Sequence, residues 1–109
     1  MIHITIFKDS AGICRKYRIE GHAGYGEHGR DIICAAVSVL AQNTANSIER
    51  FTSDPVEGVS DQERGYLEVA FPKGLHAGSQ LLVRSMISGF RDIEKIYGSG
   101  FIRIREEEV

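Results

Sequence analysis

The hydrophobic residues of this chain change their spacing between residues 21 and 31, and this change constrains the fold more than any other feature. Before residue 21, the stretches "MIHITIFKD" and "ICRKYRIE" alternate apolar and polar side chains, which is typical of strands with one wet face. After Asp31, apolar side chains recur every three or four residues as far as Thr52, which predicts a long helix. Asp31 suits the N-cap because its carboxylate can accept a hydrogen bond from a first-turn amide. The chain is therefore predicted to begin with a β-hairpin and a helix.

The second half shows the same order in outline. A short strand near residues 56–59 and the alternating stretch "YLEVAF" precede a second helix at about residues 79–97, which Gly98 ends. The stretch "FIRIR" is predicted to be a last short strand, followed by a solvated tail, "EEEV". The order β-β-α-(β)-β-α-β predicts an α+β fold, a two-layer sandwich with two helices on one face of a mainly antiparallel sheet. We expect residues 1–109 to form a single domain.

Predicted inward-facing residues follow from these periods. In the hairpin they include Ile13, Tyr17 and Ile19, whereas Cys14 is placed on the polar face. In the first helix the predicted buried stripe is Ile33, Val37, Leu40, Thr44, Ile48 and Phe51.

Composition limits the cellular setting and the partners. The net charge of -2 provides no basic field for a phosphate backbone, so we expect no direct nucleic-acid binding. No apolar run approaches the roughly 20 residues of a membrane span, and the N-terminus lacks the pattern of a secretory signal. Two cysteines are too few for a disulfide framework and favour a cytoplasmic protein with free thiols.

The loop between the hairpin and the helix spells G-x-G-x-x-G at Gly24–Gly29, a pattern found in dinucleotide-binding proteins. That function also requires a parallel βαβ unit with an acidic residue at the end of its second strand. Glu49 lies at a suitable distance but falls inside the predicted helix, and the preceding strand belongs to a hairpin. No Gly-Lys-Ser/Thr follows the loop, which excludes a Walker A motif. We therefore expect no nucleotide and no other cofactor.

Cys34 and His22 are the candidate reactive residues. Cys34 falls in the first turn of the predicted helix, where backbone amides and the helix dipole favour a thiolate. His22 ends the second strand, and a loop that returns to the helix start can bring it beside the thiol as a Cys–His pair. Two alternatives stay open: a buried, structural Cys34, or a metal site of His22, His28, Cys34 and His76, whose spacing matches no usual zinc pattern.

The same residues carry a resemblance to a known family. Gly21-His22-Ala23, then Gly29, then the run Asp31–Ser38 ("DIICAAVS") resemble the signature of the ribosomal-processing cysteine proteases (Prp), and length and architecture fit over nearly the whole chain. The resemblance implies a bacterial cytoplasmic endopeptidase, typically a homodimer. Its implied substrate is the N-terminal extension of ribosomal protein twenty-seven of the large subunit. By position, it implies that His22 is the catalytic histidine and Cys34 the nucleophile. A non-catalytic, ribosome-associated binding module is the alternative function.

Supporting roles follow for the neighbouring residues. Asp31 is predicted to cap the helix, with orientation of His22 or contact with substrate as alternatives. The hydroxyl of Ser38, one turn beyond Cys34, is predicted to bond the helix backbone or to support the site. The glycines of the substrate loop, Gly21, Gly24, Gly26 and Gly29, would let the loop be mobile when empty and become ordered around a peptide. No metal ligand is assigned.

Overall fold

The computed structural model describes residues 1–27 and 31–109. Within these two stretches the elements are the strands β1 (Ile2–Lys8) and β2 (Cys14–Glu20), the helix α1 (Ile32–Phe51), the strands β3 (Glu57–Asp61) and β4 (Tyr66–Ala70), the helix α2 (Ala77–Tyr97) and the strand β5 (Ile102–Glu108). Their order confirms the predicted α+β fold, in which both helices pack on the sheet. No helix among these residues has the length and apolarity needed to cross a membrane.

The sheet is mixed, and β1 lies near one of its edges. The strand order is β3-β4-β2-β1-β5, with antiparallel pairs throughout except for the parallel pair of β1 and β5. The prediction of a solvated "EEEV" tail is wrong, since β5 continues to Glu108, which pairs with Lys8. Backbone pairing with β1 satisfies those amides of this acidic stretch that face β1, and the Lys8 ammonium lies 2.8 Å from a carboxylate oxygen of Glu106. The acidic residues therefore form a charged edge strand.

The core lies between the sheet and the helices. Tyr17 of β2 is fully buried, and its hydroxyl donates a 2.7 Å hydrogen bond to the carbonyl of Ala41, which ties the sheet to α1. The buried residues of α1 are Ile33, Val37, Ala41, Thr44 and Ile48. Phe51, predicted to continue this stripe, is 73% exposed in the last turn, so the predicted stripe was one turn too long.

A β-bulge changes the position of Cys14. The pairs Phe7–Lys16 and Lys8–Cys14 leave Arg15 as an extra residue, so the inward and outward sides of β2 exchange at this point. Cys14 is therefore buried in the core and not, as predicted, on the polar face. Burial raises the pKa of its thiol to about 11, so this sulfur is held as a neutral thiol.

The outer face of the hairpin is less exposed to solvent than the alternation of apolar and polar residues indicates. Thr5 and Phe7 point away from the helices, yet both are buried. The Lys16 ammonium and the Arg18 guanidinium lie 4.6 and 5.1 Å from the centroid of the Phe7 ring. Long cationic side chains thus cover apolar surface while their charged ends reach water.

Candidate active site

Asp31 organises the start of α1. Its Oδ1 accepts hydrogen bonds from the backbone amides of Ile33 (3.0 Å) and Cys34 (3.1 Å), so it is the N-cap that the sequence predicts. Its Oδ2 accepts from the amides of Tyr25 (2.8 Å) and Gly26 (3.2 Å) in the preceding loop. One carboxylate therefore fixes the helix start and the loop together.

The charge of Asp31 is directed at these amides. Burial alone would raise its pKa, but the hydrogen bonds from the amides of Cys34, Gly26, Tyr25 and Ile33 together outweigh burial and lower the pKa below its ordinary value. The carboxylate is thus ionised at neutral pH. The amides of Tyr25 and Gly26, which belong to the G-x-G motif, bind this internal anion.

Cys34 lies in the first turn of α1, half-buried at the edge of the core. Its sulfur accepts a 3.3 Å hydrogen bond from the backbone amide of Ala23. The N-terminus of the helix places partial positive charge at the same position. The buried thiol of Cys14 differs, because its sulfur donates to the main-chain carbonyl of Lys16.

His22 follows β2 and is exposed. Its Nε2 lies 3.4 Å from the main-chain carbonyl oxygen of Glu63, in the turn between β3 and β4. A carbonyl oxygen can only accept, so Nε2 is the donor of this hydrogen bond. His22 and Cys34 line the same cleft, with Ala23 between them in the chain and bonded to the sulfur.

The cleft has a volume of about 520 Å³. One wall is the start of α1 with the glycine loop, and the opposite wall is the β3–β4 hairpin. The lining residues that the sequence prediction did not include come mainly from this hairpin: Ser60, Gln62, Gly65, Tyr66 and Leu67. The motif "DQERGY" indicates a turn, but nothing in it indicates proximity to a histidine some forty residues away.

The cleft continues along α1. A second cavity of about 220 Å³ lies between α1 and the strands β3 and β4, and it shares Gln42, Ser60 and Leu67 with the first. β3 is an edge strand whose residues 57–60 are exposed. The site therefore has the extended shape that a peptide chain requires, beside a strand with unpaired backbone groups.

Most of the other predicted site residues also line the cleft. Gly21, Gly24, Gly26 and Ser38 all line the cleft. The Ser38 hydroxyl accepts a 2.9 Å hydrogen bond from the side-chain amide of Gln42, a partner that the sequence prediction did not include. Gly21 cannot be replaced without a shift, because an added Cβ would lie 2.5 Å from the carbonyl oxygen of Met1. Gly29 and His28 lie outside the described residues.

Two residues of the alternative metal site, Cys34 and His76, lie far apart. His76 stands at the start of α2, where its Nδ1 lies 2.6 Å from a carboxylate oxygen of Asp54, which follows the far end of α1. About 25 Å of helix separate that end from Cys34. Across residues 1–27 and 31–109, no three His, Cys, Asp or Glu side chains are grouped as metal ligands would be.

A known protein family matches most of the chain. The family model described as cysteine protease Prp matches residues 1–102. The ribosomal processing cysteine protease Prp of Bacillus subtilis is 28% identical over 102 residues, covering 89% of this chain and 90% of the relative. The protein of the same name from Staphylococcus aureus is 28% identical over 97 residues, covering 89% and 92%.

Solved structures match over nearly the whole chain. The crystal structure of the ribosomal processing protease Prp from S. aureus with a covalently linked product peptide has a TM-score of 0.90 and 27% identity, and the match covers 98% of this chain and all of that chain. The structure of the S. aureus protease with a substrate peptide has a TM-score of 0.86 and 26% identity, with the same coverage.

Proposed function

The chain belongs to the cysteine protease Prp family, and from this membership we propose that it is a thiol endopeptidase with Cys34 as nucleophile and His22 as base. The observation that carries the proposal is the placement of both side chains on one cleft, with the Ala23 amide donating to the sulfur. A structural cysteine requires neither the cleft nor the donor.

The first half of the reaction forms a thioester. His22 takes the proton from the Cys34 thiol, and the sulfur attacks the carbonyl carbon of the scissile peptide bond. The resulting tetrahedral intermediate collapses when the C–N bond breaks and His22 returns the proton to the leaving amine. The new N-terminus departs, and the acyl group stays on the sulfur.

The second half releases the acyl group. His22 takes a proton from water, whose oxygen attacks the thioester carbon. The C–S bond then breaks, the sulfur regains a proton, and the product leaves with a carboxylate. The net reaction consumes one water for each peptide bond and requires no cofactor.

The oxyanion of the intermediate needs a hydrogen-bond donor near the sulfur. At the helix start, the amides of Ile33, Cys34 and Ala35 already donate to the side chain or carbonyl of Asp31. The amide of Ala23 takes this role instead. It donates to the sulfur at rest and lies within reach of an oxygen on the carbon that the sulfur attacks.

The substrate is a peptide segment in extended conformation. The cleft supplies apolar lining residues such as Ile19, Val37 and Leu67, and the exposed edge of β3 supplies backbone groups for pairing. We propose that the natural substrate is the N-terminal extension of ribosomal protein twenty-seven of the bacterial large subunit. The curated relatives named ribosomal processing proteases, and the solved relative that binds a substrate peptide, support this assignment.

The setting proposed for this reaction is the bacterial cytoplasm, with the protein acting as a homodimer and without direct contact to nucleic acid. Sedimentation equilibrium over a range of protein concentrations measures the assembly, and a mass equal to one chain at all concentrations contradicts the dimer.

The decisive experiment is incubation with the extended ribosomal protein, followed by intact-mass measurement. The wild type is expected to release one N-terminal fragment, and Cys34→Ala to release none. Cys14→Ala is the matched control, because it removes the other thiol of the chain, and it should cleave like the wild type.

Alkylation by iodoacetamide separates the protease from the binding module. Cys34 should react faster than Cys14, and more slowly in His22→Ala than in the wild type. Cleavage by Cys34→Ala, or a Cys34 that reacts no faster than Cys14, refutes the assignment and leaves a module that binds without cutting.

A further inference from the structure

We infer that the turn between β3 and β4, residues 62–65, is the positioning element of His22, and that the carbonyl of Glu63 fixes Nδ1 as its basic nitrogen. The inference rests on the proposed function, in which His22 serves Cys34. In this inference, the group that orients the base is a main-chain carbonyl and not a third side chain.

The chemistry of the contact determines the tautomer. The Glu63 carbonyl accepts from Nε2, so Nε2 carries a proton. A neutral imidazole carries only one, which leaves the lone pair on Nδ1. The separation of 3.4 Å is long for an N–H···O bond, as catalytic contacts often are before substrate binds. Nδ1 is then the atom that exchanges a proton with the sulfur.

The turn is attached to the strand that carries the histidine. The amide of Gly21 donates to the carbonyl of Gly65 at 2.9 Å, one residue before His22. Inside the turn, the amide of Gly65 donates to Gln62 at 3.1 Å, and that of Arg64 donates to the Asp61 carboxylate at 3.3 Å. The Glu63 carbonyl is therefore held in place relative to His22 from both sides.

Gly65 permits the close approach. Its φ of +62° belongs to the left-handed region, and an added Cβ would lie 2.5 Å from the carbonyl oxygen of Gly21 and 3.0 Å from two ring atoms of His22. The imidazole thus rests against glycine backbone, and any side chain at this position displaces the ring or the turn.

Asp31, the acidic residue nearest to Cys34 in sequence, has a different role. Both of its oxygens accept from backbone amides of the loop and the helix start. A main-chain carbonyl orients the imidazole as a carboxylate would, but without a second negative charge beside the thiolate.

Nitrogen NMR of ¹⁵N-histidine-labelled Cys34→Ala tests the tautomer, since this variant removes the thiol with which His22 exchanges a proton. At about pH 9, where imidazoles are ordinarily neutral, His22 should show a protonated Nε2 and an unprotonated Nδ1. His76 is an internal standard of the opposite tautomer, because its Nδ1 lies 2.6 Å from the Asp54 carboxylate. The exposed His3 should show averaged signals. A His22 protonated on Nδ1, or averaged like His3, overturns the inference.

Gly65→Ala tests the positioning, with Gly12→Ala as the matched control. Gly12 also has a left-handed φ, +80°, but a Cβ there meets nothing within 4 Å. Both variants should lose thermal stability from backbone strain. With a peptide spanning the junction of the extended ribosomal protein, only Gly65→Ala should lower kcat, by about tenfold to a hundredfold, and average the nitrogen signals of His22. Equal kcat in the two variants overturns the inference.

Two variants of Asp61, which change the turn less, test the same role if Gly65→Ala does not fold. Asp61→Ala removes the acceptor of the Arg64 amide and should lower kcat about threefold, whereas Asp61→Asn keeps an acceptor and should restore it. Equal kcat in this pair counts against a role for the turn. If His22→Ala alkylates and cleaves like the wild type, the proposed function itself fails. If His22→Ala is inactive, but His22 lacks the expected tautomer and the turn variants keep the wild-type kcat, only the positioning role fails.

Discussion

The two helices both begin beside an aspartate, yet the two starts are built differently. At α1, Asp31 is the N-cap and binds amides on both sides of itself. At α2, the N-cap His76 makes no side-chain capping bond. Asp54, 22 residues earlier in the chain, instead accepts from the backbone amide of His76 at 2.8 Å and from its Nδ1 at 2.6 Å. One aspartate joins a loop to its helix, and the other joins the two helices.

The start of α2 carries the residue types of a Ser-His-Asp triad without its geometry. Ser79 is fully buried, and its hydroxyl donates to Thr52 at 3.1 Å. The His76 side chain is 85% exposed and bonds the buried Asp54. At α1 the proposed nucleophile, Cys34, lines a cleft, and the proposed base, His22, comes from the segment after β2. A candidate site is therefore recognised by whether the nucleophile can meet a substrate, and not by the residue types present.

The largest expected difference between the two starts lies in their histidines. His22→Ala should lower kcat/KM for the ribosomal peptide at least about a thousandfold, since it removes the base. His76→Ala should leave kcat/KM near the wild-type value and lower the melting temperature slightly, because it removes an exposed partner of Asp54. Steady-state kinetics with thermal unfolding measures both, and a large kinetic effect of His76→Ala would place chemistry at the second start.

The two tasks of Asp31 can be separated. Asp31→Ala should cost about 1 to 2 kcal/mol of unfolding free energy through loss of the cap and should also lower activity. Asp31→Asn keeps one oxygen for the helix amides but cannot accept from both sides, so it should retain most of the stability and lose about tenfold in kcat. Urea unfolding and kinetics on both variants check this. Equal stability losses would indicate that the loop contacts, rather than the cap, carry the free energy.

Acid should destabilise the start of α2, because it protonates Asp54. The polar side chains of Ser79 and then His76, next to the carboxylate, lower the pKa of Asp54 from 3.8 to about 2. Because the folded pKa lies below the unfolded one, the stabilisation is complete above about pH 4 and is lost as the pH falls toward 2. The melting temperature of the wild type should therefore fall more steeply in this window than that of Asp54→Asn. Parallel curves would show that this carboxylate does not contribute.

The smallest expected effect on alkylation and cleavage comes from placing a thiol at the start of α2. Ser79→Cys in a Cys34→Ala background should be alkylated no faster than the buried Cys14 and should not restore cleavage, because position 79 is fully buried. Mass spectrometry of the labelled protein provides the measurement. Rapid labelling at position 79 would mean that this helix start opens in solution.

The sequence predicted the elements that depend on local pattern. Alternation located β1 and β2, the three-to-four spacing located α1, and Asp31 gave its start, since each signal involves residues a few positions apart. The Gly-His and Asp-Cys segments border one short loop, so their common location on the cleft also follows from local connections.

The features that sequence analysis missed depend on pairing between distant segments. The bulge at Arg15 reverses the side on which Cys14 lies, and nothing in "ICRKY" indicates an extra residue. The acidic end of β5 becomes a strand only because β1 pairs with it. The turn beside His22 consists of residues 62–65. Their composition indicates a turn, but it does not indicate that the turn contacts His22. Each of these is decided by a partner strand.

The parallel pairing of β1 with β5 has a consequence for folding. Ile2 pairs with Ile102, so the sheet is completed only when the last strand meets the first. Contacts between segments so far apart in the chain form slowly, because the intervening chain must first be ordered. The cleft, by contrast, is lined mainly by residues between Ile19 and Leu67. During synthesis on the ribosome, the cleft-forming segments therefore emerge well before the strand that closes the sheet, and β1 waits with one edge unpaired.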